Sequence, residues 1–112
     1  MTEKAKKYLV DIQLAIQLIE NFSIGINGFS DYQHDLKTKS AIERQLGIVG
    51  EAVNHYRRED GVSPLSNTRQ IVDFRNRLIH SYDNIEDTIV WAILKNYLPT
   101  LKLEVEEALA QE

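Results

Sequence analysis

Apolar residues recur at helical spacing along most of the chain, and this periodicity limits the possible folds more than any other feature. Between Tyr8 and Phe22 they fall three or four residues apart, as on one face of a helix of about five turns. The same spacing returns between Asp35 and Tyr56. No stretch alternates apolar and polar residues as a strand does. The pattern therefore indicates helices that bury one side against each other.

A polar break and two or three further helices follow. Residues 57–64 contain a glycine and a proline among charged residues, which is typical of a loop. A third helix is expected to begin near Ser66 or Asn67, both of which are good N-cap residues. The acidic pair 86–87 favours the start of a fourth helix, because the helix dipole stabilises negative charge there. Pro99 either kinks that helix or starts a fifth.

The length suits one domain of this kind. With 112 residues, the chain can bury a core as a single domain, 1–112, without disulfides or a structural metal. It has no cysteine, which excludes thiolate metal sites and cysteine nucleophiles. We predict an all-α fold, an antiparallel bundle of four to five helices. No apolar run approaches the ~20 residues of a membrane span, and no signal peptide is visible, so we expect a cytoplasmic protein.

Charge argues against a long nucleic-acid groove but allows a local phosphate site. The formal net charge is −4, whereas extended nucleic-acid binding depends on many lysines and arginines. Residues 83–112 hold two lysines against seven acidic residues, a local charge of −5, so residues 1–82 sum to +1. Five arginines fall between Arg57 and Arg77. They form either an arginine-bearing face on an acidic body or an ordinary solvated surface.

The segment best suited to chemistry is 75–82, which reads Arg-Asn-Arg-Leu-Ile-His-Ser-Tyr. The guanidinium of Arg75 can hold a phosphate by paired hydrogen bonds, and the imidazole of His80 can transfer a proton near neutral pH. Each residue also has an ordinary explanation. An arginine at a helix edge is usually a surface residue or half of an ion pair, and a histidine on a polar face is usually solvated.

Helical geometry separates these groups. At about 100° per residue, Arg75 and Tyr82 stack at the edge of the buried face, whereas Asn76 and His80 point the opposite way. Arg75 and His80 therefore cannot meet in a regular helix of one chain. Either the helix loosens near His80, or two copies meet at a twofold interface and line one cleft with residues from both. We favour a homodimer.

The segment resembles the Arg-x-x-x-x-His-x-Tyr signature of HepT-like toxins in the HEPN superfamily. Residues 48–52 resemble the family's helix-2 segment, and residues 89–99 resemble its stretch after the signature. The resemblance implies an all-helical dimer with metal-independent endoribonuclease activity and no cofactor. It also implies a partner, a nucleotidyltransferase antitoxin of the MntA type that is usually encoded beside the toxin.

The resemblance implies a role for each residue of the segment. Arg75 and His80 match the family's catalytic pair, Asn76 matches a polar position that supports the site, and Tyr82 matches a tyrosine that such antitoxins adenylate. The chemistry fits these residues, because a base near pH 7 can deprotonate the RNA 2′-hydroxyl while a guanidinium stabilises the charge on the phosphoryl oxygens. We expect a 2′,3′-cyclic phosphate product. An adenylate on Tyr82 would place an anion beside Arg75 and block it.

Two other functions fit parts of the sequence. The same arginine and histidine could hold a nucleotide in a non-catalytic adaptor subunit of a nucleotidyltransferase. A carboxylate-bridged metal bundle would need Glu-x-x-His on two helices, and the nearest approach is Glu51 with His55, four residues apart. We therefore expect no metal site, and we expect His34 and His55 to lie at the surface.

Overall fold

The computed structural model describes residues 1–80 and 85–111, and all of its regular elements there are helical. This confirms the predicted all-α fold. The helices are α1 (Glu3–Phe22), α2 (Phe29–His34), α3 (Leu36–Tyr56), α4 (Thr68–His80), α5 (Asp87–Ala92) and α6 (Leu98–Ala110), with a π-helical segment (Ile93–Tyr97) between the last two.

Side-chain caps fix where the two longest helices begin. The Thr2 hydroxyl accepts a hydrogen bond from the Ala5 N–H at 3.0 Å, so α1 begins at Glu3, ahead of the apolar stripe that the sequence pattern detects from Tyr8 onward. Asp35 caps α3 by accepting from the N–H and the hydroxyl of Thr38 at 3.0 and 2.8 Å. These two hydrogen bonds lower the pKa of Asp35.

The chain after residue 86 forms one long rod. Helix α5 continues into the π-helical segment and then directly into α6, without an intervening loop. Pro99 lies in the first turn of α6, directly after the π-helical segment. Pro99 therefore starts a helix, as one of the two predicted alternatives stated, but the chain is not interrupted there. The π-helical segment was not predicted.

The helices pack as a bundle around one apolar core. Helix α1 packs against α3 and α6, α3 packs against α4, and α2 bridges α3 and α5. The start of α1 lies against the end of α3, where the rings of Tyr8 and His55 stack with centroids 5.3 Å apart, so these neighbours run antiparallel. The largest fully buried side chains are those of Tyr32, Tyr56, Leu9, Ile12, Ile42 and Leu101. None of the helices within the described ranges is long and apolar enough to cross a bilayer.

Polar contacts outside the core place the start of α4. The hydroxyl of the buried Tyr56 donates to the carbonyl of Ser63 at 2.9 Å and ties the connecting loop to α3. The N–H and hydroxyl of Ser66 both donate to the carboxylate of Glu104, at 2.9 and 2.7 Å. Asn67 precedes the helix with a positive φ of 59°, and its carbonyl accepts the first helical hydrogen bond. Helix α4 thus begins beside α6 and packs against α3.

Candidate functional site

The candidate residues lie on the second half of α4, which is α-helical up to and including His80. Arg75 is half-buried, whereas Asn76 and His80 are exposed. This matches the two faces predicted from helical spacing. Tyr82 lies outside the described residues, so its predicted stacking on Arg75 is not tested.

The stem of Arg75 lies directly over Gly50 of α3. A Cβ atom at position 50 would overlap the Cβ of Arg75, and it would stand 2.9 Å from the Arg75 Cγ and 3.3 Å from the carbonyl oxygen of Ile71. A Cβ atom at Gly47, one turn earlier, would make only an ordinary contact of 3.9 Å with the Leu78 side chain. The two helices therefore approach each other more closely at Gly50 than at Gly47.

Few of the N–H groups of the Arg75 guanidinium have a hydrogen-bond acceptor in the described part of the chain. Its Nη1 donates to the Asn76 side-chain oxygen at 3.2 Å. Its Nε is buried and finds no hydrogen-bond acceptor among the described residues. None of the described carboxylates forms an ion pair with it, and the nearby Glu51 instead lies 3.8 Å from His55. Apart from the buried Nε, the remaining N–H groups are therefore available to an external anion.

Arg75 and His80 are not brought together within one chain. Because α4 is unbroken through His80, five residues of helix separate the two directions by about 140°. Within the described part of the chain, the helix does not loosen ahead of His80. The structure joins Arg75 with Asn76 and leaves His80 on a separate, solvent-facing side.

Apolar side chains next to the site are partly uncovered. Ile48 follows Gly47 on α3 and is 37% exposed, and Ile79 precedes His80 on α4 and is 48% exposed. Gly47 lies against Leu78, so both isoleucines adjoin the same contact between α3 and α4.

Two of the grooves in the described part of the molecule lie beside Trp91 and beside Arg77. One of ≈ 580 Å³ runs between α1, α5 and α6 past Trp91, whose ring carries the Lys95 ammonium 4.6 Å from its centroid. Another of ≈ 390 Å³ separates α4 from α5 and is lined by Arg77 and Tyr97. Neither groove includes Arg75 or His80 in its walls.

The other histidines lie at the surface, as predicted. His34 is exposed and its Nδ1 lies 2.8 Å from the Ser30 carbonyl oxygen. His55 is exposed between Tyr8 and Glu51. Across the part of the chain that the structure describes, no three histidine, aspartate or glutamate side chains converge as metal ligands would.

Sequence comparisons decide the family. The family model described as "Ribonuclease HepT-like" matches residues 12–108. The chain belongs to the HepT-like ribonuclease family. It is 36% identical over 111 residues to a protein of Thermococcus cleftensis described as a probable ribonuclease HepT, with 96% of this chain and 97% of that one covered. No solved structure matches significantly.

Two proteins of Methanocaldococcus jannaschii that are named as candidate RNases are also similar. One is 31% identical over 103 residues, covering 90% of this chain and 93% of its own. The other is 32% identical over 104 residues, which cover 91% of this chain and 84% of that protein. The family match spans the whole of α4, including Arg75, Asn76 and His80. The expected membership of the HepT-like family is thereby confirmed.

Gly50 lies at a close helix–helix contact that the sequence pattern does not reveal. The pattern places it within the family-like segment 48–52 but attaches no role to it. A glycine in the middle of a helix weakens that helix, so an interior glycine can signal a close approach of another backbone. Only the packing of α4 on α3 shows that this is its position.

Proposed function

We propose that this chain is a metal-independent endoribonuclease and the toxin of a toxin–antitoxin pair. The observation that carries the proposal is the state of Arg75. Its guanidinium has no carboxylate partner among the described residues, on a helix that presents an exposed histidine five residues later. Such an unpaired guanidinium is suited to a phosphodiester, and the chain belongs to a family of ribonucleases.

The proposed reaction is an internal transfer on RNA. The imidazole of His80 takes the proton of a 2′-hydroxyl, whose oxygen attacks the adjacent phosphorus. The bond from phosphorus to the 5′-oxygen breaks, and that oxygen leaves as an alcohol after receiving the proton that the same His80 took up. Arg75 stabilises the negative charge that grows on the phosphoryl oxygens, and Asn76 orients the guanidinium by accepting from its Nη1 at 3.2 Å. The products are a 2′,3′-cyclic phosphate and a free 5′-hydroxyl.

We further propose that the active site forms at a homodimer interface. In one chain the regular α4 keeps Arg75 and His80 on different faces, whereas a twofold axis beside α4 brings Arg75 of each copy toward His80 of the other. The exposed Ile48 and Ile79 adjoin this region and supply apolar surface for such an interface.

Mixing two inactive variants tests the shared site. A heterodimer of Arg75→Ala with His80→Ala contains one intact pair, so mixing should restore about a quarter of the wild-type activity if the chains exchange freely. No recovery from chains that demonstrably exchange would assign both residues to a site within one chain.

Cleavage of RNA in EDTA tests the activity itself. Purified wild type, His80→Ala and the matched control His34→Ala are incubated with total RNA. His34 is an exposed histidine on α2, so its variant should cut like the wild type, whereas His80→Ala should be inactive. A substrate with a 2′-deoxy sugar at the cut position should resist. Equal behaviour of wild type and His80→Ala would favour the alternative, a non-catalytic nucleotide-binding adaptor of a nucleotidyltransferase.

We propose that a nucleotidyltransferase antitoxin of the MntA type neutralises the toxin by adenylating Tyr82. The added phosphate would pair with Arg75 and occupy the position of the substrate phosphate. Intact-mass measurement after incubation with antitoxin and ATP should show one adenylate on the wild type and on Tyr97→Phe, but none on Tyr82→Phe. Full suppression of Tyr82→Phe by an active antitoxin would contradict the mechanism.

A further inference from the structure

We propose that Gly50 is a positioning residue for Arg75: it lets α4 approach α3 closely enough to fix the direction in which the guanidinium projects. This inference rests on the proposed function, because it assigns the role of Gly50 to the same site. Gly50 acts through Arg75 and does not itself touch the substrate.

The packing leaves no room for any side chain at position 50. Three atoms would obstruct a Cβ there: the Cβ and Cγ of Arg75 and the carbonyl oxygen of Ile71. Two of these belong to the rigid part of α4, the carbonyl of its backbone and the first side-chain carbon, so neither can swing away as the end of a flexible side chain can. Any substitution must therefore move α4 as a body.

This close approach also determines the surroundings of the guanidinium. Because the first carbons of the Arg75 side chain rest on the bare backbone of α3, the Nε behind them is buried, while Nη1 reaches Asn76 at 3.2 Å. An arginine side chain otherwise has many rotamers. Here one edge of the guanidinium faces the protein and the other remains for a phosphate.

The neighbouring glycine supplies a matched control. Gly47 and Gly50 lie one turn apart in the interior of α3. Alanine has a higher helix propensity than glycine, so an alanine substitution should stabilise the isolated helix at either position. A Cβ at position 47 would make only an ordinary 3.9 Å contact with Leu78. The two alanine variants therefore differ chiefly in whether α4 must move.

Single-turnover RNA cleavage compares the two variants. Displacing a reacting group by about 1 Å can cost a factor of about 100, so Gly50→Ala should lose about 100-fold in the single-turnover rate. The concentration that gives half of the maximal rate should change less than about threefold. Gly47→Ala should stay within about twofold of the wild type. A rate unchanged in Gly50→Ala would overturn the inference.

A measurement that needs no activity separates this inference from the proposed function. The Nε–H proton of Arg75 should exchange slowly with solvent in NMR spectra of the wild type and of Gly47→Ala, because that nitrogen is buried, whereas the exposed Arg77 should exchange quickly. In Gly50→Ala the Arg75 signal should move and exchange like that of Arg77.

The wild-type spectrum alone tests the idea if Gly50→Ala does not fold. Fast exchange at Arg75 in the wild type would refute the fixed guanidinium. Slow exchange in a wild type that cuts no RNA would leave the positioning intact and refute the ribonuclease activity instead.

Discussion

Two buried tyrosines offer a test of what a hydroxyl contributes to this fold, because the same substitution should act in opposite directions. Tyr32 is fully buried and Tyr56 is 1% exposed, so neither ring loses its packing when the hydroxyl is removed. The Tyr56 hydroxyl donates to the Ser63 carbonyl at 2.9 Å. The Tyr32 hydroxyl is buried and has no hydrogen-bond partner in the described part of the chain.

The expected magnitudes follow from these partners. Tyr56→Phe loses one hydrogen bond, and because Ser63 is exposed, water can replace the lost donor, so the free energy of unfolding should fall by about 1 kcal/mol. Tyr32→Phe removes a buried polar group whose desolvation no hydrogen bond offsets. The free energy of unfolding should then stay level or rise, by up to about 1–3 kcal/mol.

Urea unfolding at pH 7 measures both changes with one internal probe. Trp91 is the only tryptophan, and its ring lies 5.8 Å from that of Tyr32, so its fluorescence reports on the core. With m near 2 kcal/mol per molar, about 1 kcal/mol shifts the midpoint by about 0.5 M. Far-UV circular dichroism should give the same midpoints. Equal destabilisation in both variants would refute the reasoning, since the partner of the hydroxyl would then not decide its contribution.

Three further predictions concern pH and packing. The hydrogen bonds from Thr38 lower the pKa of Asp35, so this group stabilises the fold above pH 3.8 and loses that contribution as pH falls through its folded pKa; Asp35→Asn should remove this part of the acid dependence in thermal melts. Burial raises the pKa of Glu43, so its contribution is greatest below pH 4.5 and is lost as pH rises through the folded pKa. Glu43→Gln should therefore gain more stability relative to wild type at pH 7 than at pH 4, and an equal gain at both would contradict this. The Leu101 side chain is 1% exposed, so Leu101→Ala should lower the free energy of unfolding in urea by about 2–5 kcal/mol. Leu103 is 60% exposed, so Leu103→Ala should lower it little. Similar losses in the two variants would mean that α6 packs on the core through a different face.

The long helices could be predicted because their signals are local. An amphipathic stripe records which side of a helix is buried, and the stripes of α1 and α3 are long enough to be unambiguous. The first turn of α1 was not predicted because three of its four residues, Glu3, Lys4 and Lys6, are charged, and its start is fixed by the Thr2 cap. The π-helical segment was not predicted because a single widened turn leaves no periodic pattern of its own in the sequence.

Part of the candidate site could be predicted from the sequence, and part of it could not. The separation of Arg75 from His80 follows from helical rotation alone, and the burial of the two faces of α4 agrees with it. The buried Nε and the role of Gly50 depend on how closely a second helix approaches, and no pattern within α4 records that distance. The sequence thus identifies candidate reactive groups, whereas tertiary packing determines how firmly their side chains are held.

The π-helical segment Ile93–Tyr97 lets the last helical rod hold one residue more than a regular α-helix of the same register would. The widened turn absorbs that residue, so Leu101 and Val105 still face the core and Glu104 still accepts hydrogen bonds from Ser66. Deleting one residue within the segment should therefore restore ordinary helix and leave these contacts in place. Because Ser66 anchors the start of α4, the rod can change its length by one residue at this segment without displacing the helix that carries Arg75.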